Sequence, residues 1–477
     1  MLRFILNDKS IETEFASGST VLDFVRYHKR LVGTKIGCRE GDCGACTVLV
    51  GDMENLPADR QGDKLVYRTM TSCLMPLGNA AGKHIVTVEG INMKTLTPVQ
   101  QAMVDTNGTQ CGFCTIGFVM SFTGFILDES AKQYDEAIAA IDGNICRCTG
   151  YKSIERAAAI LSEKIADKPQ TGHLQWLTNN NFIPAYFSNI KDRLLELRKD
   201  SIAATDSPGN NLIVGGGTDL IVQKHLLVKK SGIDHVFDKN GLKGIKLENG
   251  RCVIGASVTV THFAASTLIQ DFFPNLKKHI KLISSTPIRN MATLAGNLVN
   301  ASPIGDMSVF LLALDASVVL NNGKTQREIK LKDFYKAYKQ IDKAADEFIE
   351  TIVFTPPLKN DFFGFEKVCK RTHLDIASVN CAIKISYNED GTISDMHLAA
   401  GGVAPFPKYL EQTISFLKNK NITVETLQDA IAVIDTEIAP ISDARGTKEY
   451  KQLLLRQLFL AHFQNDEKTI KKLLSIN

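Results

Sequence analysis

The sequence predicts a multidomain α+β protein, and three observations predict it. The chain is 477 residues long, more than a single hydrophobic core usually fills, so several domains are expected. Its hydrophobic pattern changes along the chain: short β-like runs cut by glycines, then helical periods, then strand-like and helical runs in alternation. Its eleven cysteines are bunched, eight of them before residue 150 and three scattered behind.

Composition removes several classes. Hydrophobic residues make up 44% and charged residues 22%, the balance of a folded globular chain and not of a disordered one. The formal net charge is +3 with no long basic run, so neither nucleic acid nor an anionic membrane is an expected partner. The start, Met1 to Asp8, meets a charge at once and reads as a first strand turning at Asn7-Asp8, not as a signal peptide. No apolar stretch is long enough to span a bilayer. The expectation is a cytoplasmic protein.

Residues 1–85 form the first expected domain. Strands are expected at Ile11–Phe15 and Thr47–Val50. A helix is expected over Thr20–Leu31, with Val21, Leu22, Phe24, Val25 and Leu31 apolar and Gly33 stopping it. Residues 86–165 form the second. Thr97 is a helix N-cap with Pro98 at the first helical position and Gln100 completing a capping box. Further helices are expected at Thr115–Leu127, Asp135–Ile141 and Ser153–Ala166, the last with Ile154, Ala157, Ala158, Leu161 and Ile165 on one face. Four short helices predict a small bundle. The polar stretch 166–180 reads as a linker. Residues 181–355 alternate strand-like and helical runs until Pro356-Pro357 breaks the chain, and 356–477 read as a smaller α/β unit ending in helices. There is no internal repeat.

Grouped cysteines in a reducing compartment point to metal or redox chemistry more than to disulfides. Cys38, Cys43 and Cys46, followed by Cys73, have the plant-type ferredoxin spacing. Two irons bridged by two sulfides need four thiolates around one small object. A tight loop supplies three, and a distant strand the fourth. Gly37, Gly41 and Gly44 lie among them, where backbone must curl and offer N–H groups to sulfur. A structural zinc site also takes four thiolates; the reach to Cys73 and the glycine-rich loop favour iron–sulfur. Cys111, Cys114, Cys146 and Cys148 make a second set of four. Its Cys-x2-Cys half alone also suits a redox pair or half a zinc site. Each half precedes an expected helix, whose N-terminus favours the negative charge of a thiolate-bound cluster.

At this point the residues resemble a known family. The run Gly37 to Val48 resembles the first cluster loop of the xanthine dehydrogenase family of molybdenum hydroxylases, and the runs Gln110 to Thr115 and Gly143 to Tyr151 resemble its second. The resemblance implies a ferredoxin-like β-grasp domain, a four-helix [2Fe-2S] domain, an α+β FAD-binding domain and a C-terminal α/β flavoprotein domain. It implies that Gln110 and Cys148 face the pterin of a partner. Ile116 stands where the family usually has proline, which alters a helix start and removes no ligand.

The run Asn211 to Leu220 opens an apolar strand into a glycine turn. Alone it reads as a strand–turn–helix junction, without the dinucleotide fingerprint of a Rossmann fold. The runs Ile288 to Asn297 and Ala301 to Asp306 resemble the FAD-binding loops of the same family. The resemblance implies that Ile213, Val214, Gly215, Gly216, Gly217, Thr218, Asp219 and Leu220 bind the cofactor together with Thr293, Gly296, Asn297, Asp306 and Lys367. Ala295 replaces a family glycine, and Ile283 stands where animal enzymes carry an aromatic residue near the flavin. Arg371 and Asp375 fall in a charged loop that the resemblance places at the flavin or NAD; His373 beside them reads as a surface residue. Cys252, Cys369 and Cys381 read as ordinary buried thiols.

The implied protein is the small subunit of a bacterial-type xanthine dehydrogenase. Its electrons come from a large molybdopterin-binding subunit, in a heterotetramer of two copies each. They pass through two [2Fe-2S] clusters to FAD and on to NAD, in oxidation of hypoxanthine and xanthine to urate. The alternatives are the same subunit of another molybdenum hydroxylase, acting on aldehydes or N-heterocycles, and a stand-alone iron–sulfur flavoprotein carrier.

Overall fold

The computed structural model describes residues 1–55, 63–199, 211–371 and 375–463; Thr372, His373 and Leu374 lie outside the described residues. The chain divides into two compact units, residues 1–237 with 285–292 and residues 238–284 with 293–477.

The first unit opens on a five-stranded sheet. Its strands are β1 (Leu2–Leu6), β2 (Lys9–Thr13), β3 (Thr47–Asn55), β4 (Asp63–Thr71) and β5 (His84–Val86), in the order β2-β1-β5-β3-β4. Only β1 and β5 run parallel, as a β-grasp requires. Asn7 turns the first hairpin at φ +54°. β2 ends at Thr13, two residues short of Phe15, where the Thr13 hydroxyl takes the Phe15 N–H at 3.2 Å and bends the chain away. The helix expected over Thr20–Leu31 is shorter. Thr20 caps it, accepting from the Asp23 N–H at 3.1 Å. Val21–Asp23 then widen into a π-turn, Phe24–His28, closed by Lys29 N–H on the Phe24 carbonyl. Arg30, at φ +56°, ends it before Gly33 is reached. The turn still buries Val21, Leu22, Phe24 and Val25 against Phe4, Leu6, Val48 and Val50 of the sheet.

His84 is buried inside this sheet. Its Nδ1 meets the Tyr67 hydroxyl at 2.7 Å and its Nε2 the Asn7 carbonyl at 2.9 Å. That pattern suits a neutral ring donating from Nε2, and burial pushes its pKa down to about 3. The unfolded chain therefore binds the proton first on acidification. Stability is full above pH 6.5 and falls as the pH drops towards 3, by about 1.4 kcal/mol per pH unit from this residue. Thermal melts across that window should show the slope, and His84→Gln should remove this share of it.

The helices follow. Pro98–Asp105 starts on the expected capping box, with Thr97 N–H on Gln100 Oε1 at 2.8 Å and Gln100 N–H on Thr97 Oγ1 at 3.2 Å. Thr115–Leu127, Tyr134–Ala140 and Lys152–Lys164 complete the bundle. Ile154, Ala157, Ala158, Leu161 and Ile165 are all fully buried, as the periodicity of that helix predicts.

The stretch 166–180 is not a linker. Lys168 is fully buried, and its ammonium donates to the carbonyls of Ile126 (3.0 Å), Ala131 (2.9 Å) and Asp128. These carbonyls lie at and beyond the C-terminus of Thr115–Leu127, where helical partners run out. A polar stretch thus folds because its lysine finds unpaired carbonyls. The helix His173–Asn179 follows, and Leu177, Phe182, Ile183, Phe187, Ile190 and Leu194 join the bundle core.

Residues 212–237 also pack with this first unit. Strand Leu212–Val214 pairs in parallel with Ile233–His235 across the helix Leu220–Lys230. Ile221, Val228 and Met291 pack into the core beneath the β-grasp sheet, which draws 285–292 in as well.

The second unit holds, among the described residues, a two-stranded antiparallel sheet, Tyr335–Ala337 with Gln340–Ile341, and two larger ones. One runs Gln326–Lys330, Ser317–Asn321, Phe348–Phe354, Arg251–Gly255, Ile245–Glu248. The other runs Phe362–Val368, Val379–Tyr387, Ile393–Gly401, Lys408–Tyr409, backed by Glu411–Leu417, Val424–Glu437 and Lys448–Ala461. Among the described residues no helix is long and apolar enough to cross a membrane.

Candidate metal centres and cofactor loops

The first four cysteines meet in the first unit as two pairs. Cys38 and Cys43 are partly buried, Cys46 and Cys73 fully. Cys38 is held down at about 5 by the hydrogen bond from the Cys43 thiol and by backbone groups of Glu40, Asp42 and Cys43; the Glu40 N–H lies 3.3 Å from its sulfur. Donating to Cys38, and burial, push Cys43 up. Cys46 is held low by its bond to Cys73, which is pushed up in turn. Gly37 leaves room for this: a Cβ there would stand 2.6 Å from the Cys43 sulfur.

The second four repeat the arrangement at the rim of the helical bundle. The Cys111 and Cys148 sulfurs are 3.6 Å apart and exposed. Cys114, the residue before the helix Thr115–Leu127, pairs with Cys146; burial first and that bond second push its thiol up to about 12. Cys146 accepts from Thr149, whose hydroxyl is 3.1 Å and N–H 3.5 Å away. Gln110 is exposed, with its Nε2 donating to the Cys148 carbonyl at 3.2 Å.

Within each set the thiols meet in pairs: Cys38 with Cys43, Cys46 with Cys73, Cys111 with Cys148 and Cys114 with Cys146. That fits a two-iron core, in which each iron takes two thiolates and sulfides join the irons.

The residues expected at the flavin fall in both units. In the first, Leu212–Val214 runs into the turn Gly215 to Asp219, which precedes the helix Leu220–Lys230. Gly217 sits at φ +82° and a Cβ at Gly216 would lie 1.9 Å from the Met291 carbonyl, so only glycine permits this path. Asn79 donates to the Gly215 carbonyl at 2.9 Å and receives His235 Nδ1 at 2.9 Å.

In the second unit, Thr293 caps its helix by accepting the Gly296 N–H at 3.1 Å. Asn297 Oδ1 accepts from Ser308 N–H and Oγ at 3.1 and 3.0 Å. Asp306 and Lys367 come together: the lysine Nζ, wholly buried, donates to Asp306 Oδ2 and to the Leu282 carbonyl, both at 2.7 Å. Asn380 donates to Asp306 Oδ1 at 2.7 Å, while its own Oδ1 is buried with no partner among the described residues. Sequence reasoning missed Asn380; its signal is a lone amide inside the apolar run Val379 to Ile383. Arg371 and Asp375 also meet, at 3.1 Å. Cys252 and Cys381 are buried as expected. Cys369 is not: it is partly exposed, because its loop turns so that the thiol donates to the Arg371 carbonyl at 2.7 Å.

Four family models match the chain in succession. Residues 4–78 match a 2Fe-2S iron–sulfur cluster binding domain and 87–159 a [2Fe-2S] binding domain. Residues 196–357 match the FAD binding domain in molybdopterin dehydrogenase, and 365–465 the CO dehydrogenase flavoprotein C-terminal domain. Together these models are those of iron–sulfur and FAD-binding domains found in molybdenum hydroxylases. The chain is 28% identical to the xanthine dehydrogenase of Blastobotrys adeninivorans, over 92% of this chain and 39% of that protein. It is 25% identical to the xanthine dehydrogenase/oxidase of Mus musculus, over 96% of this chain and 38% of that protein. The chain thus spans well under half the length of these relatives. The fold is shared with a chain of carbon monoxide dehydrogenase from Hydrogenophaga pseudoflava (TM-score 0.50, 24% identity, covering 52% of this chain and 87% of that one). In a molybdenum hydroxylase the two [2Fe-2S] domains and the FAD domain carry electrons.

Proposed function

We propose that this chain is the electron-transfer part of a xanthine dehydrogenase, acting in the cytoplasm beside a molybdopterin-binding partner in a heterotetramer. The clusters and FAD supply one-electron and hydride chemistry to NAD+ while the partner oxidises hypoxanthine and xanthine to urate. The observation that carries the reading is the match to xanthine dehydrogenases over 92% of the chain, through both iron–sulfur regions and the flavin region.

Cys38, Cys43, Cys46 and Cys73 hold one cluster, and Cys111, Cys114, Cys146 and Cys148 the other. The exposure of Cys111, Cys148 and Gln110 supports a role for that rim against the partner's pterin. In the first unit, the turn Gly215 to Leu220, with Ile213 and Val214 leading into it, binds FAD; in the second unit, Thr293, Gly296, Asn297, Asp306 and Lys367 are flavin-binding residues. Arg371 and Asp375 border the flavin and the NAD approach. A second reading is supported by the match of residues 365–465 to a CO dehydrogenase flavoprotein domain: the same role in another molybdenum hydroxylase.

The test is the visible spectrum of the chain, purified anaerobically with whatever binds it. A red-brown spectrum with a flavin shoulder should bleach with xanthine and return with NAD+. Bleaching by NADH but not by xanthine would move the assignment to the second reading. A colourless protein holding zinc would overturn both.

A further inference from the structure

The two thiol sets, far apart in sequence, touch through their backbones. The Ile145 N–H donates to the Cys43 carbonyl at 3.1 Å. Cys43 belongs to the first set, and Ile145 is covalently followed by Cys146 of the second. The shortest bonded route between the sets therefore crosses one hydrogen bond. It leaves the Cys43 sulfur through that residue's Cβ, Cα and carbonyl, enters at the Ile145 amide, and reaches the Cys146 sulfur one peptide later.

Asn144 holds this contact in place. It is 6% exposed, and both ends of its amide are used. Its Nδ2 donates to the Gly44 carbonyl at 3.2 Å, and its Oδ1 accepts from the buried Ser121 hydroxyl at 2.7 Å. It thus ties the loop of the first set, the loop of the second and the helix Thr115–Leu127 together at one point. The approach is made possible by two glycines. A Cβ on Gly44, at φ +68°, would stand 2.3 Å from the Gly143 carbonyl, and one on Gly117 would stand 2.2 Å from the Gly44 carbonyl. A buried amide with both ends paired is a rigid fastening, since breaking either bond leaves a polar group without water.

We propose that Asn144 is a positioning residue that keeps the Cys43 carbonyl on the Ile145 amide as the electron bridge between the two clusters. The proposal rests on the cluster assignment made above. One electron crosses at a time: the cluster at the Cys146 side is oxidised by one electron, the cluster at the Cys43 side is reduced by one, and no bond breaks and no proton moves. Tunnelling falls less steeply along bonds than across a gap, so the seating of this one contact sets the rate.

The test uses the full chain loaded with iron and sulfide, wild type beside Asn144→Ala and the near-isosteric Asn144→Asp, which loses the donor to Gly44. Each is reduced and its paramagnetic resonance recorded at low temperature, with iron counted for each. In wild type the two reduced clusters should split or broaden each other's signals. In both variants the iron content and each cluster's own g values should stay, while the mutual splitting shrinks and the inter-cluster transfer rate falls severalfold. Splitting and rate unchanged in both variants would overturn the proposal. So would loss of iron from the second site, which would make Asn144 a builder of that site and not of the link. Two wild-type signals without any mutual splitting would overturn the bridge and leave the function standing; a wild-type chain that binds no iron would remove the function itself.

Discussion

Cys73→Ala should lower the bound iron from about four to about two per chain and erase one of the two iron–sulfur signals. Cys73 lies beyond the loop that carries Cys38, Cys43 and Cys46, and it is buried in the β-grasp core. Without it, one iron of the core keeps a single thiolate. The second set should be untouched, because Cys111, Cys114, Cys146 and Cys148 are held by their own helices and by Thr149. NADH should still bleach the flavin, but the remaining cluster should stay oxidised, since the electron would have no stepping stone. Iron analysis with resonance spectra before and after NADH reads all three outcomes. Retention of both signals would move the fourth ligand away from Cys73.

Lys367→Met should destabilise the protein by about 3–5 kcal/mol, the usual consequence of leaving one member of a buried ion pair behind. The lysine has no exposed side-chain surface and meets Asp306 and the Leu282 carbonyl at once. Methionine fills the volume but leaves a carboxylate with only Asn380 on its far oxygen, and a carbonyl unpaired. The double variant Lys367→Met with Asp306→Leu should recover much of that loss, because two apolar groups replace two charges together. It should not recover flavin: the proposed role of Asp306 at the cofactor is removed with its charge. Denaturant melts of both variants, with flavin absorbance per chain, separate stability from cofactor binding. A single variant that melts like wild type would show that the pair contributes little to the fold.

Much of this was legible in the residues. The Thr97–Gln100 capping box, the helix Thr115–Leu127, the buried face of Lys152–Lys164 and the strand–turn–helix at Gly215 to Gly217 all appeared where local chemistry called for them. These depend on spacings of a few residues, and neighbours in sequence supply their hydrogen bonds. The helix after Thr20 was overextended because apolar periodicity does not register a π-turn or a left-handed Arg30. In the stretch 166–180 a lysine in a polar run looks solvated, and only the fold sets unpaired carbonyls beside it.

The cysteine spacing declares the metal chemistry, since the number of thiolates and the tightness of their loop are properties of the chain alone. How those thiolates pair, two and two, is a property of the folded loops. So is the meeting of Cys43 with Ile145, about a hundred residues apart. Asn144, Asn380 and Lys168 carry no local pattern that marks them. Each matters because folding buries its polar atoms, and a buried polar atom must find a partner wherever in the chain that partner lies.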